Sequence, residues 1–144
     1  MLLPINDQDH VQGPASADFT LVEYGDYECP DCGRLFQIIR DLQATLGDRL
    51  QIVYRHYPLN GIHPHAEEAA ESAEAAGGQN RFWEMHDLLF QNQSALQRKN
   101  LLAYGTTLSL DMERFRRELN KLSPIRGKKH WRDDAALMSF LASL

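Results

Sequence analysis

Phe19-Thr20-Leu21-Val22-Glu23-Tyr24-Gly25-Asp26-Tyr27-Glu28-Cys29-Pro30-Asp31-Cys32 is the stretch on which the reading of this chain turns. Its first six residues are β-branched, apolar or aromatic at five of six positions and stop at Gly25, which predicts a buried strand. Behind the cysteines, Leu35, Ile38, Ile39, Leu42 and Leu46 recur at helical spacing, and Gly47 supplies a stop. Residues 50–55 (Leu-Gln-Ile-Val-Tyr-Arg) then read as a second strand ended by Pro58. Strand, helix, strand is a βαβ unit, so the two strands are expected to be parallel with a right-handed crossover. Cys29 falls at the helix N-cap and Pro30 at the first helical position, where a missing N–H costs nothing.

These two cysteines are the only ones in the chain. A single pair cannot be a disulfide scaffold, which needs several bridges. Three readings of the CxxC remain: half of a zinc site, a redox dithiol, or two unrelated buried thiols. The helix terminus favours a thiolate at Cys29, which can attack a disulfide, and Cys32, one turn further, can resolve the mixed disulfide. Zinc would need two more ligands. His56, His63 and His65 are candidates, but they lie 24 or more residues beyond Cys32 and match no finger spacing. The placement favours redox chemistry with no metal.

Working outward, 144 residues make one domain, 1–144. With 20 acidic and 15 basic side chains the net charge is −5, which argues against a nucleic-acid partner. Eight of the 15 basic residues fall within 114–132, with only Phe115 and Trp131 as aromatics among them and no regular interleaving; a solvated helix face accounts for them. No apolar run approaches the ~20 residues of a membrane helix, so no membrane partner is expected. The N-terminus lacks a basic leader region, which predicts a cytoplasmic protein, or a periplasmic one if a signal has been removed. Beyond Pro64 the pattern is helical. Alanines at 66, 69, 70, 73 and 76 end at Gly77-Gly78, and Phe82, Trp83, Met85, Leu88, Leu89 and Phe90 form a second apolar helix with Phe82 and Trp83 as core. A third helix is predicted near 97–109, a fourth capped by Asp111 running to about Asn120, and a last one capped by Asp133 or Asp134.

The segment from Val22 to Gly33 resembles the active-site stretch of DsbA-like thioredoxin-fold thiol–disulfide oxidoreductases. The likeness continues through Tyr54-Arg55-His56-Tyr57-Pro58-Leu59, His63-Pro64-His65-Ala66 and Phe82-Trp83-Glu84-Met85-His86. It implies an α/β thioredoxin-like fold with a helical insertion at about 63–121. It also implies an enzyme that exchanges disulfides with protein or small-molecule thiols, together with an unidentified redox partner and no cofactor beyond the Cys29–Cys32 couple. Family members carry a cis proline beside the cysteines, then a β-hairpin and a final helix. Here Ser123-Pro124-Ile125 stands in for that step, with Pro124 either the cis proline or a turn proline. Residues 126–131 resemble the hairpin's end and 133–144 the last helix. The pattern between them is short, either because this member is reduced or because a stretch around 120–127 is missing from the sequence.

The resemblance assigns catalysis to Cys29, Cys32 and Glu23, and substrate contact to Pro30, Asp31 and Pro124. Glu23 sits where the family places an acid beneath the dithiol, positioned to take the Cys32 proton; a strand-end carboxylate satisfied by solvent is the plainer alternative. Asp26, Glu28 and Asp31 surround the nucleophile with negative charge. Either they oppose the thiolate, giving a less oxidising couple than a relative with histidine between the cysteines, or they are exposed and screened. His56, His63, His65 and His86 are expected to pack and hydrogen-bond. A non-catalytic redox-sensing or binding module is the second functional class.

Overall fold

A computed structural model describes residues 4–59 and 61–121. Three strands and five helices follow in order: β1 (His10–Gln12), β2 (Phe19–Gly25), α1 (Pro30–Leu46), β3 (Leu50–His56), α2 (Ala66–Gly77), α3 (Phe82–Gln91), α4 (Arg98–Thr107) and α5 (Met112–Asn120). A 3-10 turn over Gly47–Arg49 joins α1 to β3. The sheet order is β1-β3-β2. β2 and β3 are parallel, Val22 opposite Val53 and Gly25 opposite His56, as the βαβ pattern requires.

β3 is central and every one of its residues is buried. That explains its near-continuous apolar run, since both faces of a middle strand are covered. β1 was not expected from the sequence. It is three residues long and pairs antiparallel with β3, His10 opposite Tyr54. Too short to show alternation, it is held by what lies around it. Arg55, at 2% exposure, sends Nε and Nη2 to the Asp9 carboxylate (2.8 and 2.9 Å), Nη1 to Tyr24 Oη (2.8 Å) and Nη2 to the Pro4 carbonyl (3.1 Å). A buried guanidinium cannot shed its charge, so this pairing is obligatory.

The main core lies between the sheet and the helices, around Tyr27, Tyr54, Met85, Leu89, Leu101 and Phe115. A smaller cluster of Ile39, Leu50 and Ile52 seats α1 on β3. The α2 alanines are buried at nearly every position, including Ala69, Ala73 and Ala76, so α2 can pack closely against both α3 and α5. Two expectations are corrected. The helix predicted from Pro64 starts at Ala66, because 64–65 form the turn that His65 closes. Trp83 is half-buried and bridges the two clusters, whereas Phe82 is core. Asp111 caps α5 as expected, its Oδ1 accepting from Arg114 N at 3.1 Å. Pro124, the hairpin end at 126–131 and the final helix lie outside the described residues.

Candidate active site

β2 ends at Gly25, where the chain must turn into α1. An added Cβ there would meet the Tyr54 ring at 2.5 Å, so only glycine lets β2 and the β3 side chain approach this closely. Cys29 is the N-cap of α1 and Pro30 its first residue. Gly33 N donates to the Cys29 carbonyl at 3.0 Å, closing the first helical turn. Both thiols are free and partly exposed, with Cys32 leaning on the main core. This is the placement the sequence predicts.

Of the acids around the nucleophile, Asp31 is exposed, as one of the two expectations had it, whereas Asp26 and Glu28 are not. Asp26 is neither exposed nor screened by solvent: at 3% exposure it is buried. Its carboxylate accepts from Glu28 N (2.8 Å), Leu59 N (2.9 Å) and His63 Nδ1 (2.7 Å). Glu28 accepts from both His65 N (2.7 Å) and His65 Nδ1 (2.9 Å). Asp31 is exposed and pairs with Arg34 one turn on. The loop 57–65 thus supplies a donor for each inner acid. A carboxylate burdened with three donors is stabilised where it stands and repels a neighbouring thiolate less than a bare one.

Glu23 lies on β2 at 5% exposure, and its Oε1 has no hydrogen-bond partner among the described residues. The strand-end alternative is therefore overturned, because solvent does not reach it. Burial pushes its carboxyl up to about 7. The Cys32 thiol is pushed up to about 12, first by burial, with the neighbouring Cys29 and the Glu23 charge adding to it against a lowering backbone hydrogen bond at Asp26. A cavity of ≈ 10 Å³, about the room of one water, is lined by Glu23, Phe36, Ile52, Trp83, His86 and the half-exposed Arg40.

One contributor had no sequence signal. Gln93, between α3 and α4, donates through Nε2 to the carbonyls of Tyr27 (2.9 Å) and Cys29 (2.8 Å). A Cβ at Gly33 would meet its Oε1 at 2.2 Å, so the glycine after Cys32 makes room for this amide. The histidines weighed as zinc ligands do not join the cysteines. His63 and His65 hold the two acids, and His56 bonds Glu74 Oε1 at 2.9 Å. His86 bonds Tyr27 Oη through Nδ1 at 3.0 Å and is kept neutral by burial, which pushes it down to about 3.

Comparison with known proteins agrees with this geometry. A family model described as Thioredoxin matches residues 5–125. Among solved structures, a thioredoxin-like oxidoreductase from Silicibacter pomeroyi DSS-3 superposes with a TM-score of 0.78 at 25% identity, over 95% of this chain and 76% of that one. DsbA2 of Pseudomonas aeruginosa gives a TM-score of 0.63 at 26% identity, covering 99% and 75%. The α-DsbA1 structure of Wolbachia pipientis, at 20% identity and a TM-score of 0.67 over 98% and 70%, shares the fold. Curated relatives carry another name. The Na(+)/H(+) antiporter NhaA 1 of Salinispora arenicola is 48% identical over 83% of this chain, and NhaA 3 of Salinispora tropica 47% over 83%. The chain spans only 18% of each of these two proteins. With a CxxC opening the helix of a βαβ unit and a thioredoxin model matching most of its length, the chain belongs to the thioredoxin family, in its DsbA-like branch.

Proposed function

We propose that this chain is a thiol–disulfide oxidoreductase whose working group is the Cys29–Cys32 couple alone, with no other cofactor. The observation that carries the reading is a free dithiol at a helix N-terminus above a buried carboxyl poised near neutrality. In the reducing direction, Cys29 Sγ attacks a substrate disulfide, forming a mixed disulfide and releasing one substrate thiolate. Cys32 then gives its proton to Glu23 and attacks Cys29 Sγ, which releases the second substrate thiolate. The substrate gains two electrons and the Cys29–Cys32 disulfide holds the oxidised equivalent. Oxidation of a substrate dithiol is the same sequence reversed. Once Cys29 is in a mixed disulfide, its contributions to the raised Cys32 value are gone, so resolution is easier than the free dithiol implies. Pro30 and Asp31, both exposed on the first turn, face incoming substrate, and Pro124 is the further proposed contact.

The test is the turbidity of insulin reduced by dithiothreitol. Acceleration by the wild-type chain is expected, with none from Cys29→Ser and accumulated mixed disulfides from Cys32→Ser. Brief iodoacetamide treatment of the reduced protein labels Cys29 first. A folded wild-type chain that gives no acceleration overturns the catalytic reading.

One observation favours a second reading. The curated relatives are named as antiporters of which this chain matches under a fifth. In such a protein the dithiol would act as a redox-sensing module for the rest of the chain, and the described residues hold no helix long and apolar enough to cross a membrane themselves. Transport that changes with the oxidation state of the dithiol, without insulin reduction, would select it.

A further inference from the structure

Away from the dithiol, His10, His56 and Glu74 come together from three different elements: β1, the end of β3 and the middle of α2. His10 Nε2 lies 2.6 Å and His56 Nε2 2.9 Å from the same oxygen, Glu74 Oε1. All three ligand-capable atoms fall within 4.8 Å of one another. We propose that these residues bind a divalent transition-metal ion of the zinc class.

The donor set is two imidazole nitrogens and one carboxylate oxygen, which suits zinc and its neighbours and not the oxygen-seeking magnesium or calcium. The ligands are already aimed. The His10 ring stacks on Phe82, centroids 3.5 Å apart and 3° from parallel, while the His56 ring stands edge-on to Tyr54. Rings locked by packing lose little freedom on coordination.

The change needed is small. Tetrahedral ligands about 2.0–2.1 Å from zinc stand about 3.3 Å apart, so Oε1 would withdraw from the two Nε2 atoms by roughly half an ångström, and those nitrogens, within 4.8 Å of each other, would settle at the same spacing. Each imidazole now donates its Nε2–H to Oε1; on binding it would present the Nε2 lone pair to the ion instead. Water fills the fourth position, as in other two-histidine, one-carboxylate sites. His10 keeps 20% of its side chain exposed while His56 keeps 5%, which puts the entry path on the His10 side. A bound ion would tie the three-residue β1 to α2 and β3 and stabilise the native state by mass action.

The full chain carrying Cys29→Ser and Cys32→Ser, dialysed against micromolar zinc sulfate, tests the site without thiolate competition. One equivalent of zinc is expected by elemental analysis, with a rise in melting temperature. His10→Phe keeps the ring on Phe82 but removes a ligand, and should weaken zinc roughly hundredfold. Zinc no higher than in Glu74→Gln, or unchanged affinity in a folded His10→Phe, overturns the proposal. Should His10→Phe fail to fold, diethylpyrocarbonate modification of the cysteine-free chain decides. Zinc should protect His10 and His56 and leave His63 and His65 reactive; equal modification with and without zinc overturns the site.

Discussion

Glu23 and Glu74 are both carboxylates in the interior between sheet and helices, yet they sit at opposite ends of the titration scale. Glu23 projects from a strand among apolar neighbours, and burial alone acts on it, pushing it up to about 7. Glu74 projects from a helix whose buried positions are alanines and Ser72, leaving room for two imidazoles that keep it ionised. Burial is nearly the same in both; hydrogen-bond supply is not. A buried acid with donors fastens elements together, whereas one without them is left free to accept a proton. The first suits structure and the second suits proton transfer.

The largest effect should come from breaking the fastened acid. Glu74→Ala strips both imidazoles of their partner and should cost about 4 kcal/mol of stability in urea unfolding. Glu74→Gln, which keeps an acceptor, should cost clearly less. Because Glu74 is lowered below its unfolded value of 4.5, the stability it provides is present above that pH and lost as pH falls; Glu74→Gln should flatten this acid-side loss. Equal costs for the two variants would mean that packing, not hydrogen bonding, sets the site.

Removing the free acid should act on rate before stability. Glu23→Gln should slow turnover at pH 7 by about a hundredfold while leaving iodoacetamide labelling of Cys29 unchanged. Its effect on folding runs opposite to that of Glu74. A carboxyl raised from 4.5 to about 7 gives stability that is whole below its unfolded value and lost as pH rises through 7. His86, pushed down to about 3, gives the reverse slope below its ordinary 6.5, so the two overlap in mild acid. Between pH 6.5 and 8 the Glu23 loss is about twice what His86 regains as its unfolded form deprotonates, so the wild type should lose roughly half a kcal/mol there. Glu23→Gln should show no such loss.

The smallest effect is expected at Asp31. Sequence alone makes it a repelling charge beside the thiolate. In the structure it is 83% exposed and paired with Arg34, which places it among surface charges worth little. Asp31→His should therefore make the couple more oxidising by at most about 20 mV in glutathione equilibration. Asp26→Asn, which alters a buried carboxylate with three donors, should move the potential further. The reverse ranking would show that proximity along the helix outweighs burial.

What the sequence disclosed follows from range. The βαβ unit, the dithiol at the start of α1 and the Asp111 cap are written in neighbouring residues, and periodicity or capping chemistry reads them directly. Glu23 was legible as to position, but its isolation from solvent depended on Trp83 and Phe36, which arrive from α3 and α1. The Gln93 clamp, the His63 and His65 donors and the His10–Glu74 contact join residues 37 to 66 positions apart. No local pattern encodes such pairs. β1 was missed for the same reason, since three residues hold no period and the strand exists because β3 offers it an edge.

The Arg55–Asp9 pair has a consequence for how the molecule opens. Residues 4–18 contain a single three-residue strand and by that measure would fray from the body readily. Peeling them away, however, would leave a guanidinium of 2% exposure without the carboxylate and the Pro4 carbonyl that hold it. Detachment of this leading arm is thereby coupled to loosening of the central strand. A protease meeting the arm should find it as resistant as the sheet, cutting at the pace of whole-domain unfolding instead of that of a loose end.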